Sequence, residues 1–135
     1  MATNLYSKVG EMEYDGLITA TVPQVQVRAG TIRKLGTAAT LKRGTIMAKS
    51  SGSAGDGKLV VLGTAAATNE TLTPDCILTD DIDVGTSTDE VATVYTAGCF
   101  DLNKCTVASG HTVTAAELDA LRVRDIVFKA ATAAV

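Results

Sequence analysis

Hydrophobic and polar residues alternate in short stretches along most of this chain, the pattern of half-buried β-strands. The clearest alternation is in Glu90–Thr96, where Val91, Thr93 and Tyr95 share one face. The predicted strands are Pro23–Arg28, Thr31–Leu35, Thr45–Ala48, Leu59–Leu62, Cys76–Leu78 and Glu90–Thr96. Because they follow one another at close spacing with turn residues between them, the pattern predicts an all-β sheet or barrel.

Glycine-containing segments separate these strands. Ala29-Gly30 and Leu35-Gly36 are typical of turns or bulges, and they lie on either side of the second predicted strand, Thr31–Leu35. The Gly- and Ser-rich segment Lys49–Lys58 predicts a flexible loop.

One helix is predicted near the C-terminus. Thr114 to Glu117 has the sequence of a capping box, in which the Thr side chain and the Glu side chain cap each other's backbone amides. Leu118 and Leu121 then face the core, and the helix gives way at Asp125 to a closing strand. The predicted fold class is therefore mainly β (β-rich α+β), a compact small sheet or barrel-like domain with one short C-terminal helix.

The first 21 residues show neither helical nor strand periodicity over a long window. Spaced apolar residues lie among polar ones, and a short extended piece begins at the end of the segment. We interpret residues 1–21 as an extended N-terminal arm that becomes ordered against a partner, and residues 22–135 as the β-rich domain. The alternative is an edge strand folded onto its own domain. The candidate partner-binding residues are Tyr6, Val9, Met12, Tyr14, Leu17 and Ile18.

Composition narrows the class of protein. The chain has 135 residues, 46% of them hydrophobic, 20% charged and three of them cysteines. Three cysteines are too few, and odd in number, for a disulfide scaffold. No apolar run reaches the roughly 18–20 residues of a membrane span, and the N-terminus lacks a signal-peptide core. We therefore expect a protein without a membrane partner, made in a reducing cytoplasm.

Charge is divided between two segments. Residues 25–58 carry seven basic residues against one acidic residue, a balance of +6, and residues 70–101 carry eight acidic residues with no basic one. Two interpretations remain open: the segments neutralise each other within one subunit, or they meet head to tail between subunits. For the second, the candidate interface residues are Arg28, Arg33, Lys34, Asp80, Asp81 and Asp83. The basic segment has no aromatic residue for stacking on bases, so nucleic acid is not the expected partner.

The Gly- and Ser-rich loop partly matches a phosphate-binding loop. Gly52, Gly57 and Lys58 have the required spacing, but Leu59 stands where such a loop needs Ser or Thr for magnesium. A strand also follows, where phosphate binding needs a helix N-terminus. Nucleotide binding is not expected.

The sequence also contains no complete metal-binding or catalytic motif. In the acidic run Asp80–Gly85, no register places oxygen ligands at the positions of a calcium loop. His111 is the only histidine, and no Cys-x-x-Cys pair accompanies it, so a zinc site is not expected. We interpret His111 as a polar loop residue before the helix and the cysteines as small buried hydrophobes. The sequence predicts no enzyme activity, no metal and no cofactor.

From Leu17 to Lys129 the chain resembles the lambda-type head decoration proteins of tailed bacteriophages. Five segments carry the resemblance, in order: Thr21–Val25, Leu41–Ile46, Pro74–Asp83, Val94–Phe100 and Leu121–Phe128. One departure is Asp125, where relatives often have Gly before the last strand.

The resemblance implies a homotrimer on the outer surface of the mature capsid, held by its underside and its N-terminal arm to the major capsid protein. It also implies stiffening of the head against packaged DNA, and location in the virion after synthesis in the host cytoplasm. The alternatives are another virion component, such as a tail or fibre module, or a cellular ligand-binding domain.

Overall fold

A computed structural model describes residues 16–129. They form nine strands, a 3₁₀ turn and one α-helix, so the predicted mainly β fold with a short C-terminal helix is confirmed. The strands are β1 (Ile18–Ala20), β2 (Gln26–Ile32), β3 (Ala39–Leu41), β4 (Ile46–Ser51), β5 (Leu59–Val61), β6 (Thr71–Leu78), β7 (Ile82–Val84), β8 (Glu90–Phe100) and β9 (Ile126–Phe128). The 3₁₀ turn is Leu102–Lys104 and the helix, α1, is Ala115–Val123. Residues 1–15, which hold most of the predicted arm, lie outside the described residues.

Five strands close into a barrel in the order β8-β2-β5-β4-β6, with β6 pairing back onto β8. All of these pairings are antiparallel except that of β2 with β5, which is parallel and consists of one pair, Ile32 with Leu59. The C-terminal end of β8 extends beyond the barrel and pairs with β1 and with β9. The short ribbon of β3 and β7 forms a separate two-stranded sheet.

Two apolar clusters form the core. The barrel cluster draws a buried residue from each of the five barrel strands, because alternate side chains of every strand point inward. It consists of Ile32, Met47, Leu59, Cys76, Leu78, Val84 and Val94. The outer cluster lies between the other face of the barrel and the helix with its flanking strands. It consists of Leu17, Ile46, Ala48, Val60, Leu62, Ile77, Tyr95, Phe100, Leu121 and Ile126.

The predicted helix has the predicted cap. Thr114 Oγ1 accepts a hydrogen bond from the Glu117 N–H, and the Glu117 carboxylate accepts one from the Thr114 N–H. At the other end Asp125 has φ of 66°, the left-handed conformation that glycine adopts most easily. Asp is one of the few other residues that tolerate this conformation, so the departure from glycine keeps the turn into β9.

The predicted turn or bulge at Ala29-Gly30 is wrong, because β2 runs through these residues without interruption and its register with β8 is regular there. Gly30 lies inside the barrel, where a Cβ atom would come within 2.7 Å of Leu59 Cδ1. The glycine makes room for the Leu59 side chain and does not mark a turn.

Leu17 and Ile18 are the two predicted partner-binding residues that the structure describes. Leu17 is buried in the outer cluster, and Ile18 pairs with Phe100 through β1 and is half-buried. This part of the predicted arm belongs to the sheet. The other four, Tyr6, Val9, Met12 and Tyr14, lie outside the described residues.

Candidate functional site

The basic and acidic segments meet within this one chain, first at Arg33. Its guanidinium binds Asp56 through Nε at 3.0 Å and Nη2 at 2.9 Å, and Nη2 also lies 2.5 Å from Glu70 Oε2. Glu70 accepts two further hydrogen bonds, from Ser50 Oγ and from the Ala67 N–H. These donors lower the pKa of both carboxyl groups to about 2, Asp56 mainly through Arg33 and Glu70 mainly through Ser50. The network fixes the end of β2 to two loops.

A second ion cluster lies on β6. The side chain of Asp75 is 3% exposed. Its Oδ2 lies 2.5 Å from Arg28 Nη2, and its Oδ1 lies 3.0 Å from Arg124 Nη1. Asp75 is the extra residue of a β-bulge, since Pro74 and Cys76 pair with the adjacent residues Ala48 and Met47. A bulge redirects a side chain, and here it places a carboxylate between two arginines from distant parts of the sequence.

A third group lies beside the start of β8. Lys58 Nζ lies 2.6 Å from Asp89 Oδ2, and the Lys34 N–H donates to Asp89 Oδ1 at 2.8 Å. The ion pair raises the pKa of Lys58 and lowers that of Asp89. Lys58, the lysine of the partial phosphate-loop match, is therefore bound to a carboxylate of its own chain.

The acidic turn after β6 is partly neutralised. Asp81 binds the Arg43 N–H at 2.7 Å and Lys42 Nζ at 3.4 Å. Asp80 and Asp83 are exposed and accept from the hydroxyls of Thr79 and Thr40 respectively. Of the six candidate interface residues, Arg28, Arg33 and Asp81 form ion pairs within the chain, and Lys34 is tied to it through its backbone. Their role between subunits stays a prediction.

The Gly- and Ser-rich loop is held by its own hydrogen bonds. The Gly57 N–H donates to the Ser50 carbonyl, the Lys58 N–H to Asp56 and the Ala54 N–H to the Asn69 carbonyl. A phosphate-binding loop directs such N–H groups at the ligand, whereas these already have acceptors within the chain.

His111 is paired with the helix cap. Its Nε2 lies 2.8 Å from Oε1 and 3.0 Å from Oε2 of Glu117, and the same carboxylate caps the Thr114 N–H. Hydrogen bonds from Thr114 and His111 lower the pKa of Glu117 against the opposing effect of burial. The histidine thus fixes the approach to the helix.

The thiols of Cys76 and Cys105 are not activated. Cys76 lies in the barrel cluster, and burial raises its thiol pKa. Burial likewise raises the pKa of Cys105 to about 12. Between residues 16 and 129, no three His, Cys, Asp or Glu side chains are grouped closely enough to hold a metal ion.

An uncharged surface on the outside of β2 and β8 is the main feature that sequence reasoning missed. Val27 is 55% exposed and Val91 is 69% exposed. Ala29, Thr31 and Thr93 are exposed on the same two strands, with Ala29 opposite Thr93 and Thr31 opposite Val91. We call these five residues the outer sheet face. In the predicted half-buried strand Pro23–Arg28, Val25 and Val27 share the apolar side. The elements α1, β1 and β9 cover the barrel elsewhere, and no sequence signal distinguishes the uncovered half.

Comparison with protein-family models and with curated proteins finds no match to this chain. No helix in the described part of the chain is long and apolar enough to span a membrane.

Proposed function

We propose that this protein is a bacteriophage head decoration protein. In this role it binds the outer surface of the mature capsid as a homotrimer, contacts the major capsid protein and stabilises the head against the pressure of packaged DNA. It acts in the virion and performs no catalysis.

The ordered set of resembling segments carries the proposal. Leu41–Ile46 leads into β4, Pro74–Asp83 contains most of β6 and the turn into β7, and Val94–Phe100 is the second half of β8. Leu121–Phe128 contains the end of α1 and β9. Each of these four segments contributes to the outer cluster, and together they supply six of its ten residues.

The remaining observations fit a binding role. The charged clusters rigidify the body and bind its own loops, and the outer sheet face offers an uncharged surface for protein contact. A protein that binds only the mature lattice stabilises that lattice by mass action, and many copies act together.

Electron microscopy of capsids tests the proposal. Expanded heads, assembled from the major capsid protein of the same phage, are imaged with and without the purified protein. The proposal predicts added density at threefold positions and greater resistance of decorated heads to heat. Density confined to a tail or fibre would assign the protein to another virion component, and absence of density from all particles would contradict the proposal.

A further inference from the structure

The strand β2 has an open edge. It pairs with β8 along its whole length but with β5 only at Ile32. Beyond this contact the Arg33 N–H donates to the Leu59 carbonyl on the β5 side. Because every second residue of a strand directs its backbone groups to the same side, those of Val27 and Ala29 also point away from β8. Among the described residues, neither one makes a backbone hydrogen bond on that side.

This edge carries one of the usual protections, the charged side chain of Arg28. Natural proteins shield edge strands with lysine, proline, strong bulges or a covering helix or loop. From Val27 to Thr31 the outward side chains are uncharged and exposed, and the one charged side chain, that of Arg28, is drawn to Asp75. The irregularity between Gln26 and Val27 lies at the end of the strand, and the register with β8 is regular from Val27 to Ile32.

The charge beside the edge is incompletely balanced. Arg28 and Arg124 share the single carboxylate of Asp75, and no other described carboxylate contacts either guanidinium. Both arginine side chains are 45% exposed, so they have donors left for a second acceptor. A strand added at the edge of β2 would place a side chain opposite Arg28, with Cβ atoms roughly 4.5–5.5 Å apart. A carboxylate at that position would meet the guanidinium.

We propose that the β2 edge binds an extended segment of a partner polypeptide as an added strand, with an Asp or Glu of that segment facing Arg28. Main-chain hydrogen bonds to Val27 and Ala29 supply affinity, and the carboxylate sets the register. This goes beyond the proposed function, because it identifies a docking mode on the body of the protein whether or not the partner is a capsid protein.

Two synthetic peptides test this site directly. The probe is acetyl-Thr-Val-Thr-Glu-Thr-Val-Thr-amide, and its control has Gln in place of Glu. NMR titration of the full chain should show shifts and slowed hydrogen exchange at the Val27 and Ala29 amides. The Gln peptide should bind about tenfold more weakly, since hydrogen bonds to charged groups are the stronger ones. Shifts centred elsewhere, or no binding of the Glu peptide at millimolar concentration, would overturn the proposal.

Edge variants provide the matched control. Ala29→Pro removes the N–H on the open side and should abolish peptide binding, whereas Ala29→Val keeps it and should bind like the wild type. If Ala29→Pro does not fold, Val27→Pro makes the same test, because the Val27 N–H lies on the same open side two residues earlier. Peptide binding that survives the proline would refute the added strand. A homodimer in sedimentation that the proline dissociates would also refute it, because the edge would then be occupied by a second copy.

Discussion

At the scale of single residues, the charged side chains are the most informative feature of this protein. The sequence shows two segments of opposite charge but not which residues meet. Arg33 joins Asp56 and Glu70 across separations of 23 and 37 residues, and Asp75 joins Arg28 and Arg124. Such contacts depend on strand order and on a bulge, and neither can be derived from residue spacing.

The Arg33 network predicts a loss of stability in acid. The pKa values of Asp56 and Glu70 are lowered to about 2 in the folded protein, against about 4 in an unfolded chain. Groups with a lowered folded pKa stabilise the protein above their unfolded pKa, and this contribution is lost as the pH falls through the folded value. The free energy of unfolding should therefore decrease from about pH 4.5 down to about pH 2.

Urea unfolding at a series of pH values measures this dependence. Arg33→Met should flatten it, because the carboxyl groups lose their shared cation. Lys49→Met is the control, since Lys49 is an exposed cation on β4 outside the network. An equal acid dependence in Arg33→Met and the wild type would contradict the assignment.

The ion cluster around Asp75 supports a second prediction about the free energy of unfolding. Asp75→Ala removes the acceptor for two arginines from a site that is otherwise covered, and we expect a loss of about 3 kcal/mol. Asp125→Asn removes an exposed carboxylate, and Asn tolerates the left-handed conformation, so this control should change stability by less than about 0.5 kcal/mol. Urea midpoints of the two variants compare them. Equal effects would show that net charge, and not the buried cluster, is responsible.

At the scale of elements, the sequence predicts features whose determinants lie close together along the chain. It does not predict features that depend on packing between distant residues. The capping box of α1 and the alternating strand β8 are readable because their determinants lie within a few residues of each other. The turn assigned to Ala29-Gly30 failed because glycine also occurs where a neighbouring side chain needs room. Val27 lies on the apolar side of its predicted strand and is nevertheless exposed. Alternation shows that a strand has two faces, but it does not show which face is covered. Closure of the barrel by one parallel pair has no local signal at all.

The barrel packing around Gly30 gives an element-scale prediction. In Gly30→Ala the new Cβ would come within 2.7 Å of Leu59 Cδ1, so one of the two must shift. Overpacking of this kind costs about 1–3 kcal/mol. Leu59→Ala in the same chain removes the clash, so the double variant should lose less than the sum of the two single variants. Thermal unfolding of all four proteins gives the coupling, and strict additivity would contradict this packing.

At the scale of the whole molecule, the body and the arm have separate expected roles. Three ion pairs, Arg28–Asp75, Arg33–Glu70 and Lys58–Asp89, tie β2, β6, β8 and their loops into one unit. This favours neutralisation of the charged segments within the subunit over a purely intersubunit use of these charges. Leu17 and β1 belong to that unit, so the division between body and arm falls earlier in the chain than the sequence pattern indicates. The predicted partner-binding residues Tyr6, Val9, Met12 and Tyr14 all precede it.

Deleting residues 2–15 tests this division. The truncated chain keeps Leu17 and β1, so both core clusters retain every described member, and its thermal unfolding should stay cooperative. Under the proposed function, the deletion removes the apolar anchors for the capsid, and binding to expanded heads should be abolished or sharply weakened. Tyr14→Ala should give part of that loss, on the order of 2 kcal/mol for a buried aromatic hot spot. Deleting residues 130–135 is the control and should leave binding unchanged. Full capsid binding by the chain lacking residues 2–15 would assign the whole contact to the β-rich body.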